Sequence, residues 1–147
     1  MVRRRQENRD PYRMKITHTP VIRAGKRQPI STVVETCRNL LFISGQVPMS
    51  EGKPVGEDIA TQTHAVIDMI AAILQQHGCG LDDIAKTMVW LTDPADYSAF
   101  NTAYATRFVA DPPARSTVIA QLVAPVRIEM EAIAVLSAGT RPAGSVP

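Results

Sequence analysis

Cysteine and histidine are scarce in this sequence. Its two cysteines, Cys37 and Cys79, and three histidines, His18, His64 and His77, stand far apart with no HxH or HExxH group, which argues against a protein-built metal site. Cys37 lies among polar residues and Cys79 between two glycines, so both read as packing or bystander thiols of a reducing cytoplasm. No apolar stretch approaches the length that crosses a bilayer, and the chain reads as soluble, with no membrane partner. An excess of one charge sign is missing too: 16 Lys and Arg stand against 14 Asp and Glu. Much of the basic side sits in Arg3, Arg4, Arg5, Arg9 and Arg13, and without them the body is near neutral or acidic, which argues against a nucleic-acid face. The basic run has neither the apolar segment of a signal peptide nor the serine content of a transit peptide. Residues 1–13 therefore read as a disordered basic tail, 14–137 as one domain and 138–147 as a flexible Gly/Pro/Ser tail.

What is present is apolar material in short, well-punctuated runs. With 45% hydrophobic residues in 147, the chain can bury one continuous core. RMKITHTP and the segment around STVVETC read as strands, with AGKRQP as the turn region between them. NLLFISGQVP is a strand that stops at Ser44 and Gly45 and leaves toward the loop MSEGKPVGED. A long helix follows: Asp58 is its N-cap, Ile59, Thr63, Val66, Ile67, Ile70, Ile73 and Leu74 recur at helical spacing, and Gly78 ends it. LDDIAKTMVWL reads as a strand, and Asp93-Pro94 starts a second helix whose Tyr97, Phe100, Tyr104 and Phe108 form one core-facing stripe. ARSTVIAQL and VRIEMEAIAVL close the domain as two strands of a hairpin turning near Ala124 and Pro125.

This order is an α+β layout: a mixed sheet with two helices over one face. In the last strand Ile128, Met130, Ala132, Ala134 and Leu136 fit the face under the helices. The alternate positions begin charged, with Arg127, Glu129 and Glu131, and turn aliphatic at Ile133 and Val135, the pattern of a face half-buried against another subunit.

Three polar features lie at strand ends: Ser44 with Gly45, Arg115 with Ser116, and Glu129. Arg115, behind Pro112 and Pro113 and ahead of Thr117 and Val118, opens a strand with a rigid fork of donors that matches a carboxylate. Gly45 admits a ligand close to the backbone, and Glu129 is a group that orients or deprotonates a water. Singly these are weak signals: an Arg and a Glu on neighbouring strands are more often a structural ion pair than a catalytic couple, and Ser-Gly is a common strand stop.

Together, ISGQVP, TQTHAVIDMIAAIL, DIAKTMVWL, DYSAFNTAY, PARSTV and IEMEAIAV resemble the RidA family, also called YjgF/YER057c/UK114 or endoribonuclease L-PSP, over roughly residues 29 to 136. The resemblance implies a chorismate-mutase-like fold of the bacterial type and a homotrimer whose sheets form a central barrel, with clefts between subunits. It implies hydrolysis of reactive enamine and imine acids of the 2-aminoacrylate type to 2-oxo acids and ammonia, as by a 2-iminobutanoate/2-iminopropanoate deaminase, without metal or organic cofactor. Arg115 would then grip the substrate carboxylate and Glu129 handle the water. Ser44, Gly45, Asn101, Ser116, Thr117 and position 30 would line the cleft. Ile30 stands where the family's deaminase branch has Tyr, and Thr117 where it often has Cys. Two other uses of the same cleft are an aminomuconate-type deaminase and a non-enzymatic binding protein for a small carboxylate. The ribonuclease role in the family's name finds local support only in the arginine tail.

Overall fold

Alternation of apolar side chains builds the sheet, and a few turn residues decide where the chain reverses. The computed structural model describes residues 16–36 and 39–136. The basic tail 1–13, Cys37 and the tail 138–147 lie outside the described residues. In chain order the elements are β1 (Ile16–Arg23), β2 (Lys26–Thr36), β3 (Leu40–Gln46), β4 (Met49–Ser50), β5 (Lys53–Pro54), α1 (Ile59–Gln76), β6 (Ile84–Leu91), α2 (Tyr97–Ala105), β7 (Ala114–Ile119) and β8 (Ile128–Val135).

Six strands form one mixed sheet in the order β1-β2-β3-β8-β6-β7, while β4 and β5 pair by themselves. All neighbours in the large sheet are antiparallel except β6 and β7, which run parallel. β7 and β8 therefore do not form the expected hairpin. β6 reaches β7 through α2, a helical crossover that sets two strands parallel, so β7 takes the outer edge and β6 lies between β7 and β8.

Helix α1 begins where its N-cap requires: the Asp58 carboxylate accepts the Thr61 N–H at 2.8 Å and the Thr61 hydroxyl at 2.6 Å. It ends at Gly78, whose φ of 70° is the left-handed conformation that glycine adopts without strain. The buried stripe Ile59, Thr63, Val66, Ile67, Ile70 and Leu74 packs on β8 and β3 and against α2. Asp93 accepts the Ala95 N–H at 2.8 Å and caps a short 3₁₀ turn, Pro94–Asp96, that leads into α2. Leu41, Leu91, Ile128, Met130 and Phe100 complete the fully buried core. Of the expected aromatic stripe, Phe100, Tyr104 and Phe108 are buried, but Tyr97 is 46% exposed. Tyr97 is the first residue of α2, and its hydroxyl accepts from Arg115 and not from the core.

The β1–β2 hairpin outruns the sheet. β2 pairs with β3 only through Val33, Val34 and Glu35, whereas its pairing with β1 continues to Arg23 and Lys26. The segment from Pro20 to Ser31 is thus a two-stranded ribbon standing beyond β3. Its turn is Ala24-Gly25 alone, both at positive φ, so Lys26 to Pro29 belong to a strand and not to the turn region read from AGKRQP. Strand β1 continues through Pro20, with register shifts on either side where proline offers no N–H to the ladder.

The face away from the helices carries Phe42, Val118 and Val135, each at least 40% exposed. Trp90, Ile133, Glu129 and Glu131 on that face are half-buried. Among the described residues no helix is long and apolar enough to cross a membrane.

Candidate active site

The polar residues singled out at the strand ends fall into two groups. The first is built on the outer edge. Arg115 lies beside Thr87 of β6, which in turn lies beside Ala132, one of the β8 residues under the helices. Arg115 therefore extends from the helix side of the sheet. Its guanidinium carbon lies 4.6 Å from the centre of the Tyr104 ring and 5.1 Å from that of Phe100, on a platform that attracts a cation. Nη2 donates to Asn101 Oδ1 at 2.8 Å and to the Tyr97 hydroxyl at 3.4 Å. The platform is itself fixed, because the Tyr104 hydroxyl and Thr87 Oγ1 share a buried hydrogen bond of 2.8 Å. Burial pushes the Tyr104 phenol above its ordinary range, against the smaller opposing effects of Thr87 and Arg115. Thr117, two residues on from Arg115 and so on the same side, has a buried Oγ1 without a partner among the described residues. Ser116, between them, sits beside Met88 on the other side.

The second group lies on the helix-free face. The strand order puts β3 next to β8, and a register shift between Ile43 and Gln46 brings Gly45 beneath the Glu129 side chain. A Cβ at residue 45 would collide with the Glu129 carboxylate, so only glycine leaves that carboxylate its place. Glu129 is half-buried, and desolvation, with the neighbouring Glu131 adding to it, pushes its carboxyl above the usual glutamate range. Ser44 donates its hydroxyl to the Ser31 carbonyl at 2.5 Å, tying β3 to β2 just past the last rung of their ladder. Ile30, one residue earlier, is 50% exposed on the ribbon.

Within one chain these groups do not meet. Arg115 is on the helix side of the edge strand, Glu129 is on the opposite face, and β6 runs between their strands. Arg115 and Glu129 are thus not on neighbouring strands, as the hairpin layout had them. Tyr97 was assigned to the core from its apolar stripe, yet it belongs with Arg115. The signal for it was its spacing of four from Asn101, which places both on one face of α2. No group of three or more potential metal ligands occurs among the described residues.

A mixed sheet with two helices over one face, carrying a guanidinium on an aromatic platform and a desolvated carboxylate over a glycine, is a domain of the chorismate-mutase-like type. The chain belongs to the RidA family, also called YjgF: the model of the family described as Endoribonuclease L-PSP matches residues 23–136. It is 41% identical over 99 residues to a RutC family protein of Pyrococcus abyssi, covering 65% of this chain and 78% of that one. It is 37% identical over 111 residues to Reactive Intermediate Deaminase A, chloroplastic, of Arabidopsis thaliana, covering 74% and 59%. The crystal structure of yeast Mmf1 superposes with a TM-score of 0.72 at 32% identity, covering 83% of this chain and 99% of that one.

Proposed function

We propose that this chain is a hydrolytic deaminase of reactive imine and enamine acids, working in clefts between the subunits of a homotrimer. The observation that carries this reading is the desolvated Glu129 carboxylate held over Gly45. A carboxylate with a raised pKa beside a bare backbone is suited to take a proton from water. Arg115 supplies the complementary part, a guanidinium that Asn101 and the aromatic platform hold ready for a carboxylate. Each half is incomplete in a single chain, and a second copy laid against the exposed Phe42, Val118 and Val135 face supplies the missing one. The relationship to a reactive intermediate deaminase agrees with this assignment.

In the reaction, Arg115 fixes the substrate carboxylate and so directs the adjacent C=N carbon toward Glu129. That carboxylate deprotonates a water, whose oxygen adds to the carbon; the proton passes through Glu129 to the nitrogen, and the second, from the carbinolamine hydroxyl, follows it as the C=O bond forms and the C–N bond breaks. Ammonia and a 2-oxo acid leave. The imine carbon is already electrophilic, so orientation and one proton acceptor suffice.

The test is ammonia release when the purified protein meets an imine made in place by an amino-acid oxidase, with semicarbazide trapping to follow the imine's lifetime. Wild type shortens the lifetime; Arg115→Ala slows turnover by about 10²–10³-fold with the oligomer intact by light scattering. Equal rates for the two proteins would overturn the assignment. Ile30, which places an aliphatic group at the ribbon wall, favours a second reading, a carboxylate-binding protein without turnover. Saturable carboxylate binding by calorimetry with no imine consumed would support it.

A further inference from the structure

A cavity of about 480 Å³ opens beside Ser44 on the β1–β2 ribbon. Its lining is His18, Arg27, Gln28, Pro29, Ile30, Ser31, Val34 and Ser44, without a carboxylate among them. The volume lies in the range of about 300–1,000 Å³ that accommodates ligands well beyond three carbons. Only part of it is needed for a 2-aminoacrylate-sized molecule.

The chemistry of the lining is selective. Arg27 brings a permanent positive charge and a fork of donors, and among the described residues it makes no ion pair. His18 Nδ1 is 3.3 Å from the Ser31 hydroxyl, which orients the ring, and among the described residues its second nitrogen has no hydrogen-bond partner. Gln28 donates one amide N–H to the Lys26 carbonyl at 3.1 Å and keeps a second N–H as a neutral donor, so the permanent charge in the lining is that of Arg27, with the His18 ring beside it. Ser44 connects this cavity to the glycine under Glu129, being the next residue in the chain.

From this placement we propose that the preferred substrates are imino or enamino acids carrying a second carboxylate, which Arg27 and His18 receive. The proposal rests on the deaminase reading for its chemistry, and the balance of the reaction is unchanged. One water adds to the C=N carbon and one ammonia departs. The product is an oxo diacid, the second carboxylate taking no part in bond making. Arg27 and His18 are thus specificity-determining and not catalytic. Arg115 remains the anchor for the carboxylate next to the reacting carbon.

The experiment has a turnover arm and a binding arm. In the first, 2-iminosuccinate from an aspartate oxidase and 2-iminopropanoate from an alanine-oxidising enzyme are offered to wild type, Arg27→Gln and His18→Asn. In the second, the stable products oxaloacetate and pyruvate are titrated by calorimetry into the same proteins. Wild type is expected to favour the diacid in both arms by about tenfold or more, the range of one charge-assisted pair. Arg27→Gln should lose that preference while leaving pyruvate affinity and 2-iminopropanoate turnover unchanged. Equal binding of the two probes by wild type, or a preference that survives both substitutions, overturns the assignment of this cavity. If neither imine is consumed but the oxaloacetate preference disappears with Arg27→Gln, the cavity assignment stands and the deaminase reading fails. If both imines are consumed without discrimination, the reverse holds.

Discussion

The Glu129 carboxylate occupies the space where any residue other than glycine at position 45 would place its Cβ. The atom in the way is the far end of a flexible side chain, so Gly45→Ala displaces the carboxylate more readily than it breaks the fold. We expect deaminase turnover to fall by about tenfold or more, while stability changes by about 1 kcal/mol or less. Kinetics and urea denaturation on the same preparation separate the two effects.

The raised pKa of Glu129 has a sign that can be checked twice. As a base, Glu129 acts when ionised, so turnover should decline as pH falls through a value above the ordinary glutamate range. Glu131→Gln removes the repulsion but not the larger contribution of burial, and should move that acid limb modestly to lower pH. For stability, a carboxyl whose folded pKa is raised costs the fold at pH values where it is ionised, and that cost fades as pH falls. Glu129→Gln should therefore be at least as stable as wild type near neutrality, with the difference shrinking toward acid pH.

Gln62 is buried inside a connection that no hydrophobic residue replaces. Its Oε1 accepts the Arg127 N–H at 2.8 Å, and its Nε2 donates to the Gly56 carbonyl at 3.0 Å. Gln62→Leu leaves both backbone groups unpaired and should destabilise the domain by about 2–4 kcal/mol, read from chemical denaturation.

Tyr104→Phe removes the hydroxyl that Thr87 shares but keeps the ring under Arg115. The expected cost is about 1–2 kcal/mol of stability with turnover nearly unchanged. Tyr104→Leu, which takes the ring away as well, should lower turnover by about tenfold beyond that of the phenylalanine variant. A drop of equal size in both would assign the effect to the hydroxyl.

Local signals carried much of this structure. Asp58 and Gly78 bracket α1 as capping chemistry demands, Asp93-Pro94 opens the path into α2, and the even positions of β8 lie under the helices. Strand-end chemistry and the family resemblance singled out Arg115, Asn101, Gly45 and Glu129, and the structure sets Arg115 against Asn101 and Glu129 over Gly45. Pairing was harder to read. Nothing in ARSTVIAQL or VRIEMEAIAVL specifies that β6 inserts between them, because strand order is decided by the crossover through α2 and not by either strand. The division of Arg115 and Glu129 between two faces followed from that order and was hidden with it. Tyr97 was misplaced because a helix's apolar stripe does not reveal which of its members overhangs the sheet edge.

The ribbon from Pro20 to Ser31 has one further consequence. It pairs with itself and takes little part in the ladder that joins β2 to β3, so substitutions there alter neither the register of the large sheet nor the packing beneath the helices. Cleft selectivity and folding are thereby placed on separable stretches of one gene. On the proposed reading, Arg27 or Ile30 can be exchanged for other residues, and substrate choice altered, while the fold is kept.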